Sequence, residues 1–212
     1  HSNDVVYMTR LAGHELARVK LPTGAQQLRE PGPYTPEPTF RTSQMYLEPL
    51  LLERLKSLPG VTLSLAHEVA SVGQDEHGVW ADVQDGSGRS SRLRGSYLVG
   101  CDGPRSVVRR SIGSSYLGED GKARPFFGGR MWSSVFKSRQ FDLLTNSHRA
   151  WQYWIINPDI RALFLALDGD SLFLCHTQHD DATHFNEENI RADIVRAVGC
   201  DIDLEVVGSA IW

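Results

Sequence analysis

Apolar and polar residues in the first 60 positions follow the patterns of two strands, a loop and a helix. Alternation over residues 4–8 and 11–21 predicts two strands. Residues 22–40 are dense in Pro and Gly, which predicts a long exposed loop. From 41 to 60 leucines recur at helical spacing, so we expect a helix that a Pro-Gly pair ends. Pro49 should bend its first turn or delay its regular part.

Short segments with β-type patterns fill the next forty residues, and the turns between them have the sequences DEHG and DGSG. The strands predicted here span residues 61–65, 68–74, 78–84, 91–95 and 97–101. A helix is expected over 104–112, because Pro104 suits a first helical turn and Gly113 suits a helix end.

The last part of the chain combines aromatic-rich strands with one amphipathic helix. Asp168, Gly169 and Asp170 predict a tight hairpin between two of these strands. The helix is expected to begin after Asn186 as its cap and to end at Gly199. The predicted strands span residues 129–137, 150–157, 162–167, 171–175 and 204–212.

These elements predict an α/β (α+β) fold, in which a helix and a β-meander precede an antiparallel sheet with one helix. The sheet strands are apolar on both faces, since Trp151 and Tyr153 alternate with Gln152 and Trp154. An antiparallel sheet with one wet face shows polar alternation, so both faces of this one should be covered. The helix can cover only one face. We expect the other to meet a neighbouring domain, a partner chain or a ligand.

Composition and charge narrow the class of protein. The chain has 212 residues, of which 41% are hydrophobic and 23% are charged. Its apolar runs are too short to cross a bilayer, and no signal segment opens it, so we expect no membrane association. A net charge of −4 gives no basis for nucleic-acid binding. Three cysteines without metal-type spacing indicate reduced thiols and a cytoplasmic location.

Residues 97–113, YLVGCDGPRSVVRRSIG, pass from an apolar strand through Asp-Gly-Pro into a helix. An acid and a glycine at this place often mark a ligand site in α/β proteins. The helix N-terminus suits a phosphate, Asp102 can accept hydrogen bonds from a sugar hydroxyl, and Gly103 permits close approach. A turn with a helix cap explains the same residues, and local sequence alone favours it.

The longer context adds a family resemblance. RTSQMYLEPLLLERL, a β-meander and YLVGCDGPRSVVRRSIG follow one another, and this order resembles the flavoprotein aromatic hydroxylases, FAD-dependent monooxygenases of the p-hydroxybenzoate hydroxylase type. Within that group the chain looks most like the phenol and polyketide hydroxylase branch. The resemblance implies that Arg41, Gln44, Asp102 and Gly103 bind the cofactor FAD.

The same resemblance implies a reaction. NAD(P)H would reduce FAD, and the reduced flavin would activate O2 and transfer one oxygen atom to an aromatic, usually phenolic, small-molecule substrate. Tyr153 or Trp154 would line the substrate cavity, because in the family the sheet face that the helix leaves uncovered roofs the substrate. No residue is identified as a catalytic acid, base or nucleophile.

The chain also departs from the family pattern. The sequence contains no GxGxxG string, and the family's later strand–turn–helix Gly-Asp motif for the FAD ribose would be expected beyond residue 212. We therefore expect the central portion of such an enzyme, with a homodimer or further chain segments as partners. Residues 41–115 would form a partial FAD-binding domain, and 1–40 and 116–212 the substrate domain. The alternative is a non-catalytic remnant or a small-molecule-binding module without flavin.

The segment CHTQHDDATH is the one cluster with metal-ligand residue types. It contains His176, His179 and His184 with Cys175 and two aspartates. Its spacing fits no common zinc template, and a polar loop after a strand explains it, so we expect no metal site.

Overall fold

The computed structural model describes residues 2–30, 32, 37, 40–117, 130–146, 149–179 and 184–211. Internal contacts divide the chain into two compact units, residues 1–48 with 124–212 as the first, and 49–123 as the second. The strands are β1 Val5–Met8, β2 Glu15–Val19, β3 Glu68–Asp75, β4 Gly78–Gln84, β5 Ser90–Gly95, β6 Arg130–Lys137, β7 Gln152–Ile156, β8 Arg161–Ala166, β9 Leu172–His179 and β10 Glu205–Ile211. The helices are α1 Gly24–Arg29, α2 Gln44–Lys56, α3 Val107–Ser111, α4 Arg139–Thr145 and α5 Glu187–Val198.

The first unit is built on a seven-stranded sheet in the order β10-β6-β9-β8-β7-β1-β2. Most neighbouring strands are antiparallel, as expected, but β1 pairs with β7 in parallel, with Val6 opposite Tyr153. The sheet is therefore mixed, which corrects the purely antiparallel sheet that the sequence predicted. A parallel pair needs a long crossover connection, and the chain between Met8 and Gln152 provides it.

One face of this sheet, called the first face here, carries the core of the unit. Rings from β6, α4 and β8 meet there, with Phe141 edge-on to Phe136 at 5.4 Å and to Phe164 at 4.9 Å between centroids. The helix α5 adds Ile190 and Ile194 to the same cluster. This face is therefore closed within the unit. Its strand residues include Val6, Met8, Trp132, Ser134, Phe136, Tyr153, Ile155, Phe164, Phe173 and Cys175.

The opposite side of the sheet, called the second face here, is also mainly apolar. Its residues pair across strands, with Trp154 opposite Leu163 and Leu163 opposite His176. Most of them are half-buried, and the buried Leu163 and Met131 do not belong to the core cluster of the first face. The second face includes Tyr7, Met131, Ser133, Val135, Gln152, Trp154, Leu163, Leu165, Leu174, His176 and Gln178.

Local signals at the ends of α5 and at one hairpin agree with the structure. The Asn186 side chain accepts a hydrogen bond from the Asn189 N–H at 2.8 Å, and Gly199 closes the helix at φ 91°. In the β8–β9 turn, Asp168 accepts from the N–H groups of Asp170 and Leu172 at 2.9 and 3.0 Å. These predictions are confirmed. They could be made from the sequence because each depends on residues only a few positions apart.

Two short helices were not predicted. Thr23 and Gln26 form a capping box at the start of α1, inside the segment expected to be a loop. The rest of that segment lies mostly outside the described residues. Ser138 accepts a hydrogen bond from Phe141 N–H at 3.0 Å and so caps α4.

The expected helix α2 is present with Pro49 inside it. No helix in the described ranges is long and apolar enough to cross a membrane.

The second unit contains the three-stranded antiparallel meander β3-β4-β5. The sequence also predicted two strands beside this meander, at 61–65 and 97–101. Both predictions are wrong, because neither segment pairs with another strand in the described part of the chain. Leu65 is 62% exposed and Tyr97 is 91% exposed. An apolar pattern predicts that a segment can pair, but a strand forms only where a neighbour supplies hydrogen bonds.

Candidate functional site

The loop before α3 is organised by Asp102. Its carboxylate accepts hydrogen bonds from the backbone N–H of Val107 at 2.6 Å and of Val108 at 3.3 Å. A hydrogen bond from Ser106, together with these N–H groups, holds the pKa of Asp102 below its ordinary value. Asp102 is therefore an anion at neutral pH, and it caps the helix, as the local interpretation of the sequence stated.

Two glycines shape this loop for different reasons. Gly103 has φ +70°, a conformation that favours glycine, and a Cβ placed there would have no atom within 4 Å. Gly100 is different, because a Cβ there would lie 2.6 Å from the Cβ of Val108. Gly100 lets the chain pack against α3, whereas Gly103 leaves open space beside the backbone that a ligand could approach.

The other two residues assigned to the cofactor, Arg41 and Gln44, lie in the first unit. Gln44 is the first residue of α2 and is exposed. The guanidinium carbon of Arg41 lies 3.6 Å from the ring centroid of Trp151, which is a cation–π contact. Trp151 immediately precedes β7, so the segment before α2 is held against one end of the large sheet.

Tyr153 is a core residue of the first face. It is 2% exposed, and its hydroxyl oxygen accepts a hydrogen bond from the Ala150 N–H at 2.9 Å. Burial raises the pKa of its hydroxyl. The pleat directs this side chain into the core of the first face, and its expected contact with a substrate stays a prediction.

Trp154 projects from the second face. Its Nε1–H donates to Gln152 Oε1 at 3.0 Å, and its ring stacks with Tyr7 at 6.1 Å between centroids. The sequence left open whether Trp151 and Tyr153 or Gln152 and Trp154 would line a substrate cavity. In the structure Gln152 and Trp154 lie on the second face, away from the core cluster.

A polar pair that sequence reasoning missed lies on the same face. Ser133 Oγ and His176 Nδ1 are 2.7 Å apart, across the β6–β9 ladder. Both residues are half-buried, and burial lowers the pKa of His176, so that its imidazole is neutral at pH 7. The signal available in the sequence was the alternation of His176 with Cys175 and Thr177, which places it on a strand and not in a polar loop.

The histidines of the CHTQHDDATH segment do not converge. His176 is on the second face, whereas His179, three residues along the same strand, is on the first face and lies 2.6 Å from Asp193 Oδ2. Within the described ranges no group of three His, Cys, Asp or Glu residues is placed to hold a metal ion. Asp180 and Asp181 lie outside those ranges.

Comparison with known proteins places the chain in a family. Residues 12–208 match the family described as FAD binding domain, and the chain belongs to that family. It is 31% identical over 186 residues to a protein named as a polyketide hydroxylase in Streptomyces halstedii, covering 84% of this chain and 32% of the relative. It is 30% identical over 194 residues to an FAD-dependent monooxygenase of Penicillium oxalicum, covering 84% and 33%. The chain thus spans about a third of these relatives' length.

Solved structures agree with the fold. The flavin-dependent monooxygenase PieE, determined with FAD and substrate, superposes with a TM-score of 0.84 at 25% identity, over 100% of this chain and 37% of PieE. RebC-10x, in its native form and with bound K252c, superposes with a TM-score of 0.77 at 26% identity, over 100% and 39%. The α/β fold class and the resemblance to FAD-dependent aromatic hydroxylases are confirmed. The flavin-free alternative is not favoured.

Proposed function

We propose that this chain is the central part of an FAD- and NAD(P)H-dependent monooxygenase that hydroxylates an aromatic substrate of phenolic or polyketide type. The family match over residues 12–208 carries the proposal, because the relatives that extend over most of the chain are named as hydroxylases or monooxygenases. The proposal concerns the complete enzyme, since the chain covers about a third of those relatives.

The two compact units support the proposal that different parts of the chain bind the substrate and the cofactor. The first unit joins its amino-terminal strands and its carboxyl-terminal strands into one sheet, which supports the proposed substrate domain of residues 1–40 and 116–212. The second unit contains the meander and the Asp102 loop, which supports a partial FAD-binding domain within the proposed residues 41–115, whereas residues 41–48 belong to the first unit.

The residues of the Asp102 loop fit part of FAD. Gly103 offers open backbone that a cofactor can approach, and the anionic Asp102 can accept hydrogen bonds from ribityl or ribose hydroxyls. Arg41 and Gln44 would supply a cation and an amide. The GxGxxG cradle for the diphosphate is not in this sequence, so these residues would position FAD and not anchor it. FAD, when bound, would supply the activation of O2.

The second face of the sheet is suited to an aromatic substrate. Trp154, Leu163 and Leu174 offer a mainly apolar surface on which a flat ring can lie, and a bound ring would exclude water from it. Of Tyr153 and Trp154, we therefore propose Trp154 as the residue that contacts the substrate. This part of the chain would bind and orient the substrate.

Further features of the complete enzyme follow from the family resemblance. NAD(P)H would be the reductant and the protein would be cytoplasmic. A homodimer or further segments of the same polypeptide would complete the site.

The test uses the complete enzyme that contains residues 1–212. Purified protein should show the visible absorbance of oxidised flavin, and a phenolic substrate should accelerate NADH or NADPH oxidation. Mass spectrometry should detect a product that has gained one oxygen atom. Protein that neither retains nor binds FAD, or that oxidises NAD(P)H without any hydroxylated product from a panel of phenols and aromatic polyketides, would overturn the proposal.

A further inference from the structure

Trp151 presents its ring to a cation from a distant part of the sequence. Its backbone is fixed at the end of the large sheet, because its N–H donates to the Asp4 carbonyl at 2.9 Å and its own carbonyl accepts from the Ala166 N–H at 3.1 Å. The side chain of Trp151 is half-buried. The guanidinium carbon of Arg41 lies 3.6 Å from the centre of this ring. A side chain from an exposed segment is thereby held against a fixed support.

The N–H groups of Arg41 remain available to a ligand. A guanidinium stacks on an aromatic ring through its flat face, whereas its N–H donors point outward in the plane of the group. Within the described ranges of the chain, no hydrogen bond and no ion pair engages these donors. Arg41 therefore carries a positive charge without a carboxylate partner in that part of the chain, although acidic residues outnumber lysines and arginines, 26 against 22.

Another stacked arginine shows the difference. The guanidinium carbon of Arg92 lies 4.0 Å from the centre of the Trp80 ring, but the N–H groups of Arg92 also donate to the Asp82 carboxylate at 2.7 and 2.9 Å. Those bonds give Arg92 a structural role in the meander. At Arg41 the ring holds the cation, and among the described residues no carboxylate takes up its donors. The arrangement therefore suits an anion that is supplied by a ligand.

Stacking also prepares the arginine for binding. Two parallel N–H donors of a guanidinium match two oxygen atoms of a phosphate or a carboxylate, and such charge-assisted hydrogen bonds are strong. An unsupported arginine loses the freedom of several rotatable bonds when it binds, and this loss weakens the contact. The Trp151 ring restricts those bonds beforehand, so less freedom remains to be lost. FAD, the cofactor of the proposed function, has two phosphate groups that could accept these hydrogen bonds.

We infer that Trp151 is a positioning residue, which holds Arg41 so that its N–H groups bind a phosphate group of the cofactor. Arg41 would make the contact, and Trp151 would act only through Arg41. The inference rests on the proposed function, because it takes FAD as the ligand. It goes beyond that function by giving a role in cofactor binding to a residue of the sheet that we propose for the substrate.

The experiment measures binding of FAD and of riboflavin to the complete enzyme that contains residues 1–212, after its flavin has been removed. Riboflavin has the same ring system and no phosphate, so it reports effects that do not involve the phosphate groups. Flavin fluorescence titration gives both dissociation constants. Trp151→Leu should lower FAD affinity by about two- to fivefold, and Arg41→Ala by about ten- to a hundredfold, with riboflavin affinity unchanged. Trp151→Tyr keeps an aromatic ring and should retain most of the FAD affinity.

The double variant Arg41→Ala/Trp151→Leu separates positioning from other effects. If Trp151 acts only through Arg41, replacing Trp151 should not change FAD affinity further once Arg41 is absent. Trp80→Leu is the matched control, because it removes the ring under Arg92, to which we assign no contact with FAD. Circular dichroism and thermal unfolding show whether each variant is folded. Arg41→Ala changes an exposed residue, so it tests the phosphate contact even where Trp151→Leu does not fold.

The outcomes are distinguishable. Unchanged FAD affinity in folded Trp151→Leu, an equal loss of riboflavin affinity, or a full effect of Trp151→Leu in the Arg41→Ala background would each overturn the positioning role. Unchanged FAD affinity in Arg41→Ala would overturn the phosphate contact and the inference with it. In all of these cases the proposed monooxygenase would stand. Wild-type enzyme that binds no FAD would instead overturn the proposed function itself.

Discussion

The Nε2 atom of His179, at the end of β9, lies 2.6 Å from Oδ2 of Asp193 in α5. Arg196 approaches the other oxygen of the same carboxylate at 2.7 Å, and the Trp132 ring stacks on His179 with 3.7 Å between centroids. Asp193 is buried, and burial raises the pKa of its carboxyl group. This group ties α5, the longest helix of the first unit's core, to the end of strand β9.

Replacing Asp193 should therefore destabilise the first unit. Asp193→Ala removes the carboxylate partner of His179 and leaves its Nε2 only Thr177 Oγ1, at 3.1 Å, among the described contacts, so we expect a loss of about 3 kcal/mol in the free energy of unfolding. Arg196→Ala removes a partner whose side chain is 48% exposed, and it should cost less than about 1 kcal/mol. Urea unfolding followed by tryptophan fluorescence measures both values. Equal losses in the two variants would contradict the burial argument.

Asp102→Ala should weaken FAD binding to the complete enzyme by about ten- to a hundredfold, because a charge-assisted hydrogen bond to the cofactor is lost. The control is Asn186→Ala. Asn186 likewise caps a helix, α5, by accepting from the Asn189 N–H at 2.8 Å, and we assign it no contact with FAD. Flavin fluorescence titration gives the affinities. If the two variants lose FAD affinity equally, Asp102 acts only as a helix cap.

Residues 1–212 alone should bind FAD weakly, because the sequence contains no GxGxxG cradle for the diphosphate, which is the strongest electrostatic anchor of the cofactor. Flavin fluorescence titration of this chain measures the affinity. A dissociation constant tighter than about 1 μM would show that the Asp102 loop and its surroundings suffice.

Tyr153 and Trp154 should respond differently to alanine replacement, because adjacent strand residues face opposite sides of the sheet. Tyr153→Ala empties a closed core and should cost about 3–5 kcal/mol of stability. Trp154→Ala should mainly change substrate affinity, or the fraction of NAD(P)H oxidation that yields hydroxylated product. Thermal unfolding and product analysis of the complete enzyme separate the two effects. Purely destabilising behaviour of Trp154→Ala would remove it from the substrate surface.

Asp82 should make the stability of the second unit depend on acid pH. Arg92, with a further hydrogen bond from Ser71, lowers the pKa of Asp82 to about 2 from the ordinary 3.8. Because the folded-state pKa is the lower one, the stabilisation is present above pH 3.8 and is lost as the pH falls towards 2. Asp82→Asn should flatten this part of the stability profile, measured by thermal unfolding across that range. Parallel profiles for the two proteins would refute the assignment.

Much of what bears on function could be predicted from short stretches of sequence. The cap at Asn186, the turn at Asp168 and the loop at Asp102 each depend on hydrogen bonds between residues a few positions apart. Backbone preferences and side-chain caps act at that range whatever the rest of the chain does. The sequence by itself therefore determined the α5 boundaries, the β-meander and the residues of the Asp102 loop.

Only the tertiary structure decided which residues share a surface. Ser133 and His176 are 43 positions apart and meet because β6 and β9 pair in one register, and a shift of one residue would place them on opposite faces. The same holds for Tyr153 in the core, for Trp154 outside it, and for β1 lying parallel to β7. Register and strand order depend on contacts between distant segments, which no local pattern in the sequence specifies.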